Sequence, residues 1–266
     1  MADVTPHRFN RGFTWRPVPR LGGLATDEQC DAYDRDGFVL MEGVLDVDEV
    51  AAVRDVIDAM EERKHARLRE RGASEYDISV PDAITFTELI VGTSDVLKRF
   101  ATNEVFGRLA ADFVGPDVRI YWDQAVYKHP EPNRDFPWHQ DTGYTFTLPQ
   151  HYLTCWVPLV DVTIDNGCPW LLPGMHVHGT LKHWWTDVGW RCVDEAVDPV
   201  PVEAKVGDVI CFTSLAPHRT GPNVTDDVRK AYILQYCAEG TTAFTPSLQN
   251  DESRQFVVTR SGAPVA

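Results

Sequence analysis

The stretch Phe136-Pro137-Trp138-His139-Gln140-Asp141-Thr142-Gly143 sets an imidazole and a carboxylate two residues apart, and Ala216-Pro217-His218 brings a second imidazole much later in the chain. On a β-strand, or at its end, the period of two aims His139 and Asp141 at one face. A distant strand must then supply the third ligand, so the fold has to bring strands far apart in sequence side by side. Three protein ligands on one side of a metal leave positions open for a chelating cosubstrate and oxygen, the facial arrangement of non-haem Fe(II) chemistry. An HxD pair alone is a weak signal, and its surroundings decide it.

From about residue 118 the pattern turns to short runs rich in β-branched and aromatic residues: Val118 to Lys128, Leu153 to Val160, Val209 to Thr213 and Lys230 to Tyr236. Turn formers separate them at Asp165-Asn166-Gly167, Pro173-Gly174, Gly207-Asp208 and Gly221-Pro222-Asn223. Short strands without helices between them predict a sandwich or barrel, and a jelly roll suits a metal site assembled from distant strands. Upstream, Thr26 with Gln29 reads as a capping box and Phe38-Val39-Leu40 as a strand entering the core. Asp46 with Glu49 starts a second helix, in which Val50, Val53, Ile57 and Met60 recur at helical spacing. Its tail carries Arg63, Lys64, Arg67, Arg69 and Arg71 and reads as a solvated helix end rather than an anion-binding surface, with Gly72 as the stop. The expected architecture is mainly β with flanking helices. One domain spans 1–266, with helical and lid elements over 1–117, a jelly-roll core over about 118–240 and a C-terminal tail over 241–266.

With 266 residues and 43% apolar content, the chain is long enough for a sizeable core. A net charge of -15 repels phosphate backbones and anionic lipid surfaces, which argues against nucleic-acid and membrane partners and for a small-molecule substrate with O2. No stretch approaches a membrane span, and Met1-Ala2-Asp3-Val4-Thr5-Pro6-His7 lacks the apolar core of a signal peptide, so a cytoplasmic protein is expected. Cys30, Cys155, Cys168, Cys192, Cys211 and Cys237 form no CxxC pair and read as reduced, mostly buried thiols.

Arg229 lies eleven residues past His218, at the mouth of an apolar strand. Burying a guanidinium is costly unless it meets an anion, and its planar fork matches a carboxylate; the alternative is a surface pair with Asp226 or Asp227. Trp138-His139-Gln140-Asp141, the segment Asp161 to His176 with its Asn166-Gly167-Cys168-Pro169 turn and Leu172-Pro173-Gly174-Met175-His176, the turn into Gly207-Asp208-Val209, and His218 followed by Arg229 resemble the phytanoyl-CoA dioxygenase superfamily. Asp36-Gly37-Phe38 and Gly43-Val44-Leu45 are similar to its N-terminal part, so the likeness runs over roughly residues 26 to 240. The resemblance implies an Fe(II)- and 2-oxoglutarate-dependent dioxygenase on a double-stranded β-helix, a cupin-like jelly-roll barrel. It implies that His139, Asp141 and His218 hold iron and that Arg229 binds the far carboxylate of 2-oxoglutarate. Trp156, Thr220 and Gln124 fall at cosubstrate-lining positions by the same likeness. The lysine that some members use has no counterpart near Thr85 to Leu89. With Asp141 present there is no vacancy for a halide, so hydroxylation or a related oxidation is favoured over halogenation, with desaturation, epoxidation and ring rearrangement left open.

His176-Val177-His178 is itself an HxH, the form of cupin metal sites, but Pro173-Gly174 and Gly179 around it read as a loop and His176 as structural. His129, His151 and His183 have no partner at ligand spacing. Trp138 and Tyr144 flank the ligands and are expected to line a substrate cleft. The segments 74–93 and 184–196 lack a firm period and are expected either to cover the barrel mouth or to be packed connections. The rival functions are a cupin-like isomerase or hydrolase using another metal, and a barrel kept only as a binding module.

Overall fold

In the computed structural model, which describes residues 4–71, 78–244 and 256–265, the capping box at Thr26 forms in full: its hydroxyl accepts from the Gln29 N–H, and the Gln29 side chain accepts from the Thr26 N–H. Helix α1 (Asp27–Asp36) then ends at Gly37, whose φ of 87° only glycine adopts freely. A Cβ there would also lie 2.6 Å from the His176 ring, so the same glycine admits a buried neighbour. The turn delivers β1 (Phe38–Met41) into the main sheet. Helix α2 (Val47–Arg71) follows, with the Asp46 carboxylate accepting from the Asp48 and Glu49 N–H groups. Its tail is more than a solvated end. Leu68 is buried, Arg69 pairs with Asp82 at 2.5 Å, and the Lys64 ammonium bonds the Phe86 carbonyl, which pins the next strand. The expected stop at Gly72 lies outside the described residues.

Numbered in chain order, the remaining strands are β2 (Ile84–Glu88), β3 (Val118–Lys128), β4 (Phe136–His139), β5 (Thr147–Leu148), β6 (Leu153–Pro158), β7 (Pro169–Leu171), β8 (Trp184–Thr186) and β9 (Gly189–Arg191). They continue with β10 (Val200–Pro201), β11 (Val209–Thr213), β12 (His218–Thr220), β13 (Arg229–Ala238), β14 (Thr242–Ala243), β15 (Val257–Arg260) and β16 (Ala263–Pro264). Two short helices, α3 (Asp95–Ala101) and α4 (Glu104–Phe113), precede β3 and are capped by the Ser94 and Asn103 side chains. The main sheet runs β1-β11-β6-β13-β3-β15-β16, with β2 also paired to β3. A smaller sheet runs β10-β7-β12-β4. All these pairs are antiparallel, and the two sheets form the jelly roll. The stretch expected as a tail is built into the fold instead: β14 pairs with β5, and β15 extends the main sheet beside β3.

The two faces of the main sheet do different work. Strands β6 and β11 are buried at every position because helices cover one face and the barrel interior lies on the other. Cys155, Val157, Val209, Cys211, Leu234 and Tyr236 pack outward with Tyr33, Val53, Ile57, Leu97, Phe106 and Leu109 from the helices. Ile84, Phe86, Val126, Trp156, Ile210, Phe212 and Ile233 point inward. All six cysteines are free and buried. No helix among the described residues is long and apolar enough to cross a membrane.

Candidate active site

Cross-strand register sets the first pair of ligands: on adjacent strands β12 and β4, His218 stands directly opposite His139. The rings lie 4.1 Å apart between centroids. Strand β4 ends at His139, and Asp141 opens a short 3-10 turn (Asp141–Gly143) rather than continuing the strand, yet still turns back to the same centre. Its Oδ1 sits 3.6 Å from His218 Nε2 and 4.0 Å from His139 Nε2. The three residues form the one His/Cys/Asp/Glu group of metal-binding geometry among the described residues, with ligand atoms within 4.8 Å of one another.

The electrostatics suit a cation. His139 Nδ1–H donates to the Pro137 carbonyl at 2.8 Å and His218 Nδ1–H to the Ala216 carbonyl at 3.1 Å, so both Nε2 lone pairs face Asp141. Burial pushes the His139 imidazole down to about 3 and that of His218 down to about 4, leaving both neutral at pH 7. Burial raises the Asp141 carboxyl, and hydrogen bonding restrains that rise: Thr154 Oγ1–H donates to Oδ2 at 2.5 Å, and Gln235 Nε2–H reaches Thr154 Oγ1 at 3.4 Å. Two neutral imidazoles and one carboxylate, all largely buried, fit a divalent first-row ion. Between the ligands, Gln140 points the opposite way and is locked there. Its Nε2 donates to the Gly179 and Leu215 carbonyls, its Oε1 accepts from Leu181 N–H, and its own N–H donates to His183 Nε2.

These ligands open into a cavity of about 250 Å³ whose lining includes Gln124, Tyr144, Trp156, Thr220 and Arg229. The inward face of the main sheet is laid out in rows across the strands: Ile84-Lys128-Arg229, then Glu88-Gln124-Ile233-Trp156-Ile210, then Trp122-Gln235-Thr154-Phe212. Arg229 is fully buried, and no carboxylate pairs with it among the described residues, so the surface pair with Asp226 or Asp227 does not form. Its Nη1 donates to the Val126 carbonyl at 3.2 Å, while Nε and Nη2 have no partner among the described residues. The guanidinium carbon lies 5.4 Å from the Trp156 ring, and burial pushes its pKa down to about 10. A buried fork with free N–H groups at a cavity wall fits a carboxylate ligand.

Trp138 does not line the cavity. Adjacent residues of a strand face opposite ways, so with His139 inward Trp138 turns out, into a cluster with Leu172, Leu181, Cys192 and Val193, with the Arg219 guanidinium 5.4 Å from its ring. Tyr144 does line it, edge-on to His139 at 5.7 Å. His176 is buried in a 3-10 turn (Met175–His178), bonded to the Asp34 carbonyl and set against Trp15. His151 bonds the Phe113 carbonyl, and His129 stacks on His65. Of the two segments considered as covers, residues 72–77 lie outside the described set, while Ile78, Ile84, Phe86 and Glu88 line the cavity. Residues 184–196 contain the β8–β9 ribbon, which packs behind Phe136 and Tyr144 and contributes no lining residue. Sequence reasoning missed Tyr121, Trp122, Thr145, Tyr152, Thr154 and Gln235 in the lining, although alternation along β3, β6 and β13 marks several of them. It also missed Lys128, buried beside Arg229 with its ammonium on the Thr220 and Gly221 carbonyls.

Comparison with known proteins agrees with this geometry. The chain is 25% identical over 238 residues to "Methylphosphonate hydroxylase" of Gimesia maris, covering 87% of this chain and 88% of that protein. It resembles the structure of "non-heme alpha ketoglutarate dependent carbocyclase SnoK from nogalamycin biosynthesis", with a TM-score of 0.69, 21% identity and coverage of 91% and 94% of the two chains. It also resembles EctD from S. alaskensis with bound Fe, with a TM-score of 0.67, 24% identity and coverage of 90% and 84%. Residues 33–231 match the family model described as "Phytanoyl-CoA dioxygenase (PhyH)", and the chain belongs to that family of 2-oxoglutarate-dependent, non-haem iron oxygenases.

Proposed function

We propose that this enzyme hydroxylates a small organic metabolite while 2-oxoglutarate is converted to succinate and CO2. The observation that carries the reading is one cavity with a His-Asp-His cluster in its wall and a buried arginine with unused N–H groups in the same lining. His139, Asp141 and His218 would hold Fe(II), which supplies a centre for O2 activation coupled to cosubstrate decarboxylation. Arg229 anchors the far carboxylate through Nε and Nη2, and Trp156 beside it shields that ion pair from water. Thr220 and Gln124 border the cosubstrate, one from β12 and the other from β3. Phe136, Phe212 and Tyr144 keep the space near the ligands apolar, so a substrate bound there is held close with little water around it. Because all three ligands are present, hydroxylation is the favoured outcome over halogenation. A screen of succinate release over a metabolite panel, with Fe(II) and ascorbate, tests the reading: stimulated release with a hydroxylated product is expected, and 2-oxoglutarate that fails to bind the Fe(II)-loaded protein overturns it.

A further inference from the structure

We infer that His183 is a positioning residue for the metal ligands, holding the backbone between His139 and Asp141 from outside the cavity, an inference that rests on the metal-site reading above. Strand β4 ends at His139, so the sheet ladder stops just where the ligand turn begins. The next backbone N–H, that of Gln140, is met by a side chain instead: His183 Nε2 accepts it at 2.9 Å. A backbone N–H left without a partner there would cost free energy, and the peptide that carries it leads directly from one ligand toward the other. His183 does not line the cavity, so whatever it does to the ligands runs through this backbone.

The imidazole is itself held in place. Its Nδ1–H donates to the Leu181 carbonyl at 3.0 Å, which leaves Nε2 as the acceptor, and burial pushes the ring down to about 4, so it is neutral at pH 7. Leu181 is fully buried and its N–H donates to Gln140 Oε1 at 2.7 Å, while the Lys182 N–H donates to the Thr5 carbonyl. Residues 181 and 183 therefore grip Gln140 twice, once through its side chain and once through its backbone. A second observation, independent of these bonds, comes from Gly143. It closes the 3-10 turn that Asp141 opens, and a Cβ built on it would overlap the His183 ring. Its φ is not positive, so space rather than backbone conformation calls for glycine at this position. One ring thus takes the N–H at the start of the ligand turn and fills the space left by the glycine at its end.

Anaerobic titration with Co(II), followed by the visible absorption of the bound ion, reads metal affinity and ligand geometry together. His183→Phe keeps a ring and removes the acceptor. Co(II) affinity is expected to fall about 10-fold with a changed spectrum, the lower end of what an outer hydrogen-bond partner of a metal site costs, because His183 acts one bond further out. His183→Gln returns an oxygen to the place of Nε2 and should recover most of the affinity and the wild-type spectrum. Gly143→Ala should weaken Co(II) binding where the ring is present and has to move, and should add little to His183→Ala, where the new methyl group has room. Wild-type affinity and spectrum in His183→Phe, no recovery by His183→Gln, or a Gly143→Ala cost that is equal with and without the ring overturns the inference. Circular dichroism checks the fold of each variant, and if His183→Phe does not fold, His183→Gln and the Gly143→Ala comparison decide. Wild-type protein is titrated first: failure to bind Co(II) there overturns the metal-site reading and the inference with it, whereas normal binding in wild type leaves any loss in the variants to the role of His183.

Discussion

The main sheet and the small sheet reach order by different means. Strands β3 and β13 are 11 and 10 residues long and run in unbroken register from Arg229 to Gln235, before a shift between Gln235 and Tyr236, with apolar side chains on both faces, so burial and ladder bonds fix where Arg229, Gln124 and Trp156 stand. The small sheet has strands of two to four residues, too short to set positions by themselves. There the work passes to side chains. Gln140 ties three backbone segments together, each ligand histidine is oriented by a carbonyl two residues before it, and Thr154 of the main sheet reaches across to Asp141. Ladder geometry places the wall of Arg229, Gln124 and Trp156, and polar clamps place His139, Asp141 and His218.

If that division holds, changes in the two sheets should separate in their effects. The largest is expected at the ligands: His218→Ala should lower Fe(II) affinity by more than about 100-fold, beyond what outer hydrogen-bond partners of a metal site cost. Titration with Co(II) or Fe(II) under anaerobic conditions measures it, and near-wild-type affinity would remove His218 from the metal. Arg229→Ala in the main sheet should do the reverse. Metal binding stays close to wild type while 2-oxoglutarate binding weakens by about 2 to 5 kcal/mol, the loss for a buried charged pair deprived of one partner. An Arg229→Ala protein with unchanged cosubstrate affinity would make the arginine structural.

Much of the main sheet was legible in the sequence, because a strand buried on both faces reads as an unbroken run of β-branched and aromatic residues. The run Val118 to Lys128 matches β3 at both ends, and Val209 to Thr213 matches β11. His139, Asp141, His218 and Arg229 were legible through their residue types and spacing. The facing of neighbours was harder. Trp138 looked like a cleft residue by adjacency to His139, yet adjacency on a strand means the opposite face. Lys128 and Thr154 were invisible as site neighbours because their importance depends on which strands pair, which one strand's pattern does not encode. Strands β14, β15 and β16 are short and partly polar and gain their form from the edges they join, so they read as a tail.

The Thr154 clamp predicts a smaller effect that still belongs to the metal side although the residue stands on the main sheet. Its hydroxyl is the donor that turns Oδ2 of Asp141 away and leaves Oδ1 toward the histidines. Thr154→Val keeps the shape and removes the donor, and metal affinity should fall by about 10- to 100-fold, the usual cost of an outer-shell partner. Thr154→Ser restores the hydroxyl and should recover most of it. Recovery by Ser but not Val separates orientation from packing, whereas equal affinity in all three proteins would leave Asp141 fixed by its backbone alone.

The last expected effect is on stability rather than on binding and concerns Lys128, which shares a row with Arg229 and carries a second buried cation beside it. Burial, reinforced by the Arg229 charge, pushes its ammonium down to about 7, with Asp135 acting the other way and Arg219 and Arg134 adding to the depression. The unfolded chain holds this proton up to the ordinary lysine value near 10.5, so between about 7 and 10.5 the folded protein binds fewer protons than the unfolded one. Stability therefore rises with pH across that window, by at most about 1.4 kcal/mol per pH unit for one proton, and this component vanishes below about 7, where both states are protonated. Lys128→Met removes the titration and also the bonds to the Thr220 and Gly221 carbonyls, so the variant should lose the rise and fall furthest behind wild type on the alkaline side. Urea unfolding of both proteins at about pH 6 and about pH 9, without metal or cosubstrate, gives the comparison. Parallel pH profiles would mean that Lys128 keeps its proton when buried, and that the carbonyls of β12 and the following turn hold a full second charge beside Arg229.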